Sequence, residues 1–283
     1  MKIFIDSADL DEIKSAEKAG ILDGVTTNPS LIKKAVDDLK KQNKKIDIEE
    51  HIIEILKVCK GRPVSLEVVG LNFGEMAEEG KIFYKKFNKY GKVYIKIPVN
   101  PCIEKECNLD SDGIMAIKEL SKSKIPVNCT LIFTPEQALL AAKAGAKFVS
   151  PFVGREDDYI REINRIKFSK EDYFPEKGFK IGRRILEDNG IVSGIDLVRE
   201  CVEIFRKNRI NSEVLAASIR SKRQFREAAM AGADIATLPY KIIRELLMHP
   251  KTMDGVKKFR EDVADEYLEI LKKKNENIRR KKR

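Results

Sequence analysis

Short apolar runs with polar residues at alternating positions recur along the chain, separated by longer segments with helical spacing. Eight of these runs predict β-strands, because they are short and bounded by glycine, proline or polar residues. The eight predicted strands cover residues 2–6, 23–27, 63–69, 92–98, 126–133, 147–152, 213–218 and 233–239. A helical segment follows each strand, which predicts an α/β fold, a single (β/α)8 TIM barrel. An open doubly wound sheet is the main alternative, but eight regular units favour closure.

The intervening segments carry apolar residues every three or four positions, as amphipathic helices do. One helix is predicted to begin at Ser30, a residue type suited to an N-cap, and to continue through Leu39. Another is predicted over residues 195–205, with its apolar face running from Ile195 to Phe205. These helices would cover the outside of the barrel, which we predict to span residues 1–250.

Two segments interrupt the alternation of strand and helix. Residues 101–112 delay the helix after the fourth strand, and residues 156–190 form a long charged stretch after the sixth. Both follow the carboxyl ends of strands, where barrel enzymes place their active-site loops. They are either lids over a site or tolerated insertions, and the sequence favours neither reading.

Residues 251–283 are predicted to form a C-terminal helix and a basic tail. The helix places six apolar residues near one stripe, which needs a partner surface on its own barrel or on a neighbouring subunit. These residues are Val256, Phe259, Val263, Tyr267, Ile270 and Leu271. The last twelve residues carry a net charge of +7 out of +10 for the chain. Such a tail either attaches to RNA or a membrane surface, or is a solvated helix end.

Composition limits the partners further. No aromatic residues are interleaved with the basic tail, so we expect no nucleic-acid partner. No apolar run approaches the ~20 residues of a membrane helix, and no signal-peptide core follows the N-terminus, so we expect no membrane association. The five cysteines form an odd, scattered set without a CxxC pair, typical of a reducing cytoplasm rather than a disulfide framework. With only two histidines, a histidine-rich metal site is hard to assemble, and we predict no metal.

Lys96 lies in the apolar stretch KVYIKIP of the fourth predicted strand. On a strand it shares a face with Tyr94, while Val93, Ile95 and Ile97 share the other. A lysine there either protects an edge strand against aggregation or extends its charge to water along an apolar stem. The third reading is a desolvated amine that acts as a nucleophile toward carbonyl carbons.

Polar residues share the inward faces of the other strands. Asp6 follows Phe4 in the first strand, Ser65 and Glu67 alternate through the third, and Asn128 and Thr130 through the fifth. The turn TTNPS, with Thr26, Thr27 and Asn28, follows the second strand. Taken singly, each side chain is more often a satisfied structural group than a catalytic one. Their common position near the carboxyl ends of successive strands, around Lys96, predicts a catalytic site.

A lysine with nearby carboxylates can cleave a ketose. The amine forms an iminium ion with the ketone, and a carboxylate takes the proton from the hydroxyl of the leaving carbon. A second pattern supplies a phosphate handle, since SPFVGR and ASIR follow the sixth and seventh strands of the predicted barrel. Ser150, Arg155, Ser218 and Arg220 would gather hydroxyl and guanidinium donors there, although ordinary surface salt bridges are an alternative.

The blocks FIDSADL, GVTTNPSL, YIKIP, NCTLIFTPEQALLAAKAGAKFVSPFVGR and VLAASIRSKRQF closely resemble the transaldolase family. The similarity is greatest to its short, fructose-6-phosphate-aldolase-like branch. The resemblance implies a Schiff base on Lys96, with Asp6 as the acid/base for carbon–carbon cleavage. It also implies that Glu67 and Thr130 hold a proton-carrying water. The implied substrate contacts are those of Thr26, Asn28, Asn128, Ser150, Phe152, Arg155, Ser218 and Arg220.

Within that branch, aldolases resemble a version with glutamine at position 67 and tyrosine at position 152. This chain has Glu67 and Phe152, which is similar to the transaldolase pattern. The resemblance therefore implies transfer of dihydroxyacetone from fructose 6-phosphate to erythrose 4-phosphate, without a cofactor, by a homo-oligomer. A fructose-6-phosphate aldolase is the nearer alternative. A non-catalytic, nucleic-acid-associated protein is the farther one.

Overall fold

The computed structural model describes residues 1–41, 47–104, 107–264 and 266–270. Its eight-stranded barrel is closed and entirely parallel. Around the barrel the strands are β1 (Lys2–Asp6), β2 (Gly24–Thr26), β3 (Pro63–Glu67), β4 (Lys92–Pro98), β5 (Val127–Ile132), β6 (Phe148–Pro151), β9 (Glu213–Ala216) and β10 (Ile235–Leu238). Pairing of β10 with β1 completes the closure. The predicted (β/α)8 barrel is confirmed, and the open doubly wound alternative is wrong.

Helices separate these strands along the chain. They are α1 (Leu10–Lys18), α2 (Pro29–Lys41), α3 (Ile48–Cys59), α4 (Phe73–Phe87), α5 (Asp112–Lys122), α6 (Pro135–Ala144), α7 (Val153–Ile163), α8 (Gly194–Lys207), α9 (Lys222–Ala231), α10 (Tyr240–Leu246) and α11 (Pro250–Glu261). The apolar face predicted for α8 is confirmed, because Ile195, Val198, Cys201 and Phe205 are buried. Burying such a side chain contributes about 1.5–3 kcal/mol each to folding.

An apolar layer fills the middle of the barrel. Phe4, Tyr94, Phe148, Leu215 and Ile235 pack together there, and the rings of Tyr94 and Phe148 stack with their centroids 4.5 Å apart. Side chains two positions later on a strand point to the same face. The next inward residues toward the carboxyl ends therefore form a second layer, directly above this apolar floor.

Helix α2 begins earlier than the sequence predicted. Its first residue is Pro29, and Asn28 Oδ1 accepts a hydrogen bond from the Leu31 N–H at 2.9 Å. Asn28 is therefore the N-cap, and the predicted cap at Ser30 is wrong. Proline at the first helical position needs no N–H partner and has the φ angle that a helix requires, so the helix starts there.

The long segment after β6 contains structure of its own. It begins with α7 and continues into an antiparallel pair of short strands, β7 (Lys180–Ile181) and β8 (Arg184–Ile185). Ile160, Phe174 and Leu186 form a small separate apolar cluster beneath it. Helix α8 packs against α6 and α9 in the outer ring, so α7 and the short hairpin are additional to the eight barrel units.

The connection after β4 departs from the expectation of unpaired cysteines. Cys102 and Cys107 form a disulfide with their Cα atoms 5.8 Å apart, and α5 begins at Asp112. Cys59, Cys129 and Cys201 are free and buried. A pair separated by five residues forms within one loop, and no CxxC spacing in the sequence pointed to it.

The backbone divides into two compact units, with the boundary between Ile243 and Arg244. In the second unit, α11 exposes Val256 and Phe259, two residues of the predicted apolar stripe. Leu271 and the basic tail lie outside the described residues. The predicted boundary after residue 250 and the partner surface for this stripe stay predictions. No helix in the described part of the chain is long and apolar enough to cross a membrane.

Candidate active site

The strand registers bring the inward polar residues together above the apolar floor. Lys96 of β4 is level with Glu67 of β3 on one side and with Asn128 of β5 on the other. Asp6 of β1 is level with Thr26 of β2. Because all strands are parallel, these positions lie at the same end of the barrel, near the strand carboxyl ends.

Lys96 is a buried interior residue. The residue is 6% exposed, and β4 has neighbouring strands on both sides, which rules out the edge-strand reading. The Nζ atom lies 3.0 Å from Glu67 Oε2 and donates to the Thr27 carbonyl oxygen at 3.5 Å. The amine therefore has a carboxylate within proton-transfer distance and is also part of the cavity wall.

Eight of the twelve predicted site residues line one cavity of about 100 Å³. They are Asp6, Thr26, Asn28, Lys96, Ser150, Phe152, Arg155 and Ser218. The cavity wall also includes Leu215, Ala217 and Thr237. The polar residues come from separate strand ends, so the closed barrel is what assembles them.

Asp6 lies in an environment with opposing electrostatic effects. Burial raises the pKa of its carboxyl group above the ordinary value of 3.8. The positive charge of Lys96, a hydrogen bond from Thr26 and the charge of Arg155 each lower it in part. A carboxylate with a raised pKa holds an abstracted proton more readily, as a general base must.

The Asn128 side chain is fixed at both ends. Its Nδ2 donates to Ser65 Oγ at 3.1 Å, and its Oδ1 accepts from Ser150 Oγ at 2.7 Å. All three side chains are buried. These bonds set the orientation of the amide beside Lys96. Ser65, which the sequence placed on an inward face without a role, thereby belongs to the site.

Thr130 is fully buried, and its hydroxyl has no hydrogen-bond partner among the described residues. Thr130 lies within a shift of strand register between Cys129 and Ile132, and the next residue, Leu131, is in the left-handed region at φ 58°. A bulky residue rarely adopts this conformation, and bulges of this kind re-aim side chains next to active sites. A buried hydroxyl without a protein partner is suited to hold a water molecule or a ligand.

The cationic side of the cavity is built from the β6 and β9 ends. The Arg155 guanidinium lies over the Phe152 ring, 5.2 Å from its centroid. Ser218 follows β9 with its backbone in the left-handed region at φ 58°. Arg155, Phe152 and Ser218 therefore face the same space.

Arg220 has a different environment from the other predicted phosphate ligands. Its two terminal nitrogens donate to the two carboxylate oxygens of Asp158 at 2.7 and 2.6 Å. The side chain also lies close against Gly154, where a Cβ atom would be 2.7 Å from its Nε. The Asp158 pair fixes the guanidinium, and Arg220 is not among the residues that line the cavity. Its predicted contact with phosphate stays a prediction.

Thr237 is a polar residue of the cavity wall that the sequence did not predict. Its hydroxyl oxygen lies 2.6 Å from that of Thr26, and Thr26 donates to Asp6 Oδ1 at 2.7 Å. Alternation along IATLP could place Thr237 on the same strand face as Ile235. Only closure of the barrel brings that face beside β1 and β2.

The arrangement offers acid–base and nucleophilic groups. In the part of the chain that the structure describes, no group of three or more His, Cys, Asp or Glu side chains is placed to hold a metal ion. An amine, two carboxyl groups and several hydroxyls converge, together with a guanidinium. This set can form an imine with a carbonyl compound, move protons around it and bind an anionic substituent.

The chain is similar to one protein-family model and to several named relatives. Residues 3–281 match the family model described as transaldolase/fructose-6-phosphate aldolase. A probable transaldolase of Chlorobium phaeobacteroides strain BS1 is 40% identical over 264 residues, covering 93% of this chain and 98% of that protein. A second, from strain DSM 266 of the same species, is 40% identical over 276 residues, 98% of this chain and 100% of that protein. A probable transaldolase of Chlorobium limicola is 41% identical over 264 residues, 93% of this chain and 98% of that protein.

Proposed function

Because the chain belongs to the transaldolase/fructose-6-phosphate aldolase family of enzymes, we propose that it is a transaldolase acting through a Schiff base on Lys96. The proposed reaction moves a dihydroxyacetone unit from fructose 6-phosphate to erythrose 4-phosphate. It gives sedoheptulose 7-phosphate and glyceraldehyde 3-phosphate. The observation that carries the proposal is the buried Lys96 amine, 3.0 Å from Glu67 and in one cavity with Asp6.

Imine formation uses Lys96 and the groups closest to it. The Nζ lone pair attacks the C2 carbonyl carbon of the ketose, and the carbonyl oxygen becomes a hydroxyl. Loss of this hydroxyl as water leaves an iminium ion, so protons must move from nitrogen to oxygen. Glu67 supports this step because its carboxylate already contacts Nζ. The Thr130 hydroxyl, which has no hydrogen-bond partner among the described residues, can hold a water that carries protons.

Cleavage then uses Asp6 as the base. Asp6 takes the proton from the C4 hydroxyl, the C3–C4 bond breaks, and its electron pair moves toward the iminium nitrogen. Glyceraldehyde 3-phosphate leaves, and an enamine of three carbons stays on Lys96. Attack of this enamine on the aldehyde carbon of erythrose 4-phosphate reverses the sequence. Hydrolysis of the new iminium ion releases sedoheptulose 7-phosphate.

Substrate orientation is assigned to the surrounding polar groups. The clamped Asn128 amide, together with Asn28 and Ser150, supports contacts to sugar hydroxyls. Arg155 and Ser218 support phosphate binding at the open side of the cavity. Arg220 would contribute through the guanidinium N–H groups that do not face Asp158.

A fructose-6-phosphate aldolase on the same fold is the second candidate. It would protonate the enamine and release free dihydroxyacetone. Phe152 lines the cavity and has no hydroxyl for that proton transfer, which supports the transferase reading. The cytoplasmic location, the homo-oligomer and the absence of a cofactor stay predictions. The alternative based on the basic tail concerns residues outside the described part of the chain.

Product analysis tests the proposal. The protein is incubated with fructose 6-phosphate, with and without erythrose 4-phosphate, and the sugars are separated by mass. We expect sedoheptulose 7-phosphate and glyceraldehyde 3-phosphate only when the acceptor is present. Free dihydroxyacetone without acceptor would establish the aldolase instead, and no product in either reaction would contradict both. The variant Lys96→Met should form neither product. Lys92→Met is its matched control, because Lys92 is an exposed lysine on the same strand.

A further inference from the structure

Two threonine hydroxyls connect the last strand of the barrel to Asp6. Thr26 Oγ1 lies 2.7 Å from Asp6 Oδ1 and 2.6 Å from Thr237 Oγ1. Both threonines are buried, with 2% and 3% of their surfaces exposed. Among the described residues, the Thr237 side chain makes its hydrogen bond to Thr26 alone. The three side chains therefore form a short chain that begins at Thr237 and ends at the carboxyl group.

The direction of this chain follows from the number of hydrogens. A threonine hydroxyl has one proton to donate and can also accept. Thr26 uses its proton on Asp6, so in its contact with Thr237 it must be the acceptor. Thr237 is then the donor. Each bond in such a chain polarises the next, which strengthens donation to the carboxylate at the end.

We propose that Thr237 is a positioning residue for the carbon–carbon bond step, acting through Thr26 on the carboxylate of Asp6. This inference rests on the proposed function, in which Asp6 is the base. With Oδ1 held by Thr26, the other oxygen, Oδ2, stays available for the substrate hydroxyl. Thr237 thus sets which carboxylate oxygen takes the proton and how strongly the ionised form is stabilised.

The strand order explains how a residue on β10 can reach this site. β1 lies between β2 and β10, with Asp6 level with Thr26 and Phe4 level with Thr237. The two threonines therefore meet across the inward face of β1, above the Phe4 ring of the apolar floor. Both threonines are almost fully buried, so water from the cavity has little access to replace a missing hydroxyl.

Thr237→Val tests the inference, because it keeps the side-chain shape and removes the donor. We expect carbon–carbon cleavage to slow about tenfold, the size of one hydrogen bond, because Thr26 loses the donor that strengthens its own bond to the Asp6 carboxylate. Imine formation, measured by borohydride trapping with fructose 6-phosphate, should change less than about twofold. The loss of cleavage rate at low pH, which is the acid limb of the pH–rate profile, should move about half to one pH unit higher. The reason is that the ionised Asp6 carboxylate loses stabilisation. Thr237→Ser should recover most of the cleavage rate. Thr237→Ala gives the same comparison if the valine variant does not fold.

A double-mutant cycle separates action through Thr26 from a direct effect. If Thr237 acts through Thr26, the Thr26→Val/Thr237→Val double variant should cleave no more slowly than Thr26→Val alone. Additive losses would overturn the inference, as would an unshifted acid limb in Thr237→Val. Failure of the proposed function gives a different result, because the wild-type protein would then form no trapped adduct and no products.

Discussion

Burial raises the pKa of both Asp6 and Glu156, but the surroundings of the two carboxyl groups differ in charge. Asp6, at the barrel mouth, has the Lys96 amine, the Thr26 hydroxyl and the Arg155 guanidinium nearby, and all three lower its pKa against the effect of burial. Glu156, in α7, is fully buried, and neither of its oxygens has a hydrogen-bond partner among the described residues.

The neighbours of Glu156 make its ionisation harder. Burial, together with the charges of Asp188 and Asp157, raises its pKa from 4.5 to about 8. Asp157 does not stabilise the ionised form of Glu156, because its own carboxylate oxygens accept hydrogen bonds, from the Gly194 N–H and the Gln224 amide. The contrast indicates that burial beside other carboxylates favours a protonated carboxylic acid at neutral pH. A carboxylate that must exchange protons during a reaction needs a cation and hydroxyl donors beside it.

Replacing Lys96, the cation beside Asp6, gives the largest expected loss of turnover. Lys96→Met removes the nucleophile and leaves Glu67 and Asp6 without its charge. We expect transaldolase turnover to fall on the order of 10⁴-fold, because no other route to the iminium ion is present in the mechanism. Steady-state assays with fructose 6-phosphate and erythrose 4-phosphate measure the loss. Lys92→Met should retain wild-type turnover, and an active Lys96→Met protein would refute the assignment.

Replacing Asp6, the proposed base, gives a smaller loss of turnover, which is confined to carbon–carbon cleavage. Asp6→Asn should still form the imine but should cleave the carbon–carbon bond about 10²–10⁴-fold more slowly. In the wild-type protein, cleavage should fall as the pH drops through the pKa of Asp6, because only the ionised form accepts a proton. Since burial raises that pKa, this limb should lie above the ordinary range for aspartate.

Single-turnover cleavage and borohydride trapping distinguish the two steps. Asp11→Asn, an exposed aspartate in α1, provides the control and should leave both unchanged. Equal loss of trapping and of cleavage in Asp6→Asn would contradict the assigned role, because it would place Asp6 in imine formation as well.

Replacing Glu156, whose carboxyl oxygens have no hydrogen-bond partner among the described residues, should increase stability rather than reduce activity. Glu156→Leu removes two unsatisfied oxygens at similar volume, which we expect to raise the free energy of unfolding by about 1–3 kcal/mol at pH 8. The folded state binds the Glu156 proton more tightly than the unfolded state. Stability therefore falls as the pH rises from about 4.5 to about 8, and the substitution should flatten this slope.

Urea unfolding at pH 5, 7 and 8.5 measures this difference. Glu162→Leu is the matched control, since Glu162 is exposed on the same helix, and it should change stability by no more than about 0.5 kcal/mol. An unchanged pH dependence in Glu156→Leu would show that Glu156 is ionised and compensated in the folded protein.

The fold and the centre of the site could be predicted because their signals are local. Alternation along single strands identified the eight barrel strands and placed Lys96, Asp6, Glu67 and Asn128 on inward faces. A lysine within an apolar run is unusual enough to mark β4 without knowledge of its neighbours. The structure then brings these side chains together, although their chemical roles stay proposals.

Contacts between distant segments could not be predicted in the same way. Thr237 meets Thr26 only when β10 closes onto β1, and Asp158 is 62 residues from its partner Arg220. The strands β7 and β8 have two residues each, too few for a periodic pattern. Ser30 is an acceptable N-cap by residue type, but Asn28 followed by proline satisfies the helix end earlier.

The most direct test of the central claim is to identify the residue that carries the sugar. The wild-type protein is incubated with fructose 6-phosphate, reduced with borohydride, digested and mapped by mass spectrometry. The account predicts one modified site, Lys96, carrying a reduced sugar-derived adduct, and no modification without the sugar. An adduct on another lysine, or no adduct in a protein that still forms sedoheptulose 7-phosphate, would contradict it.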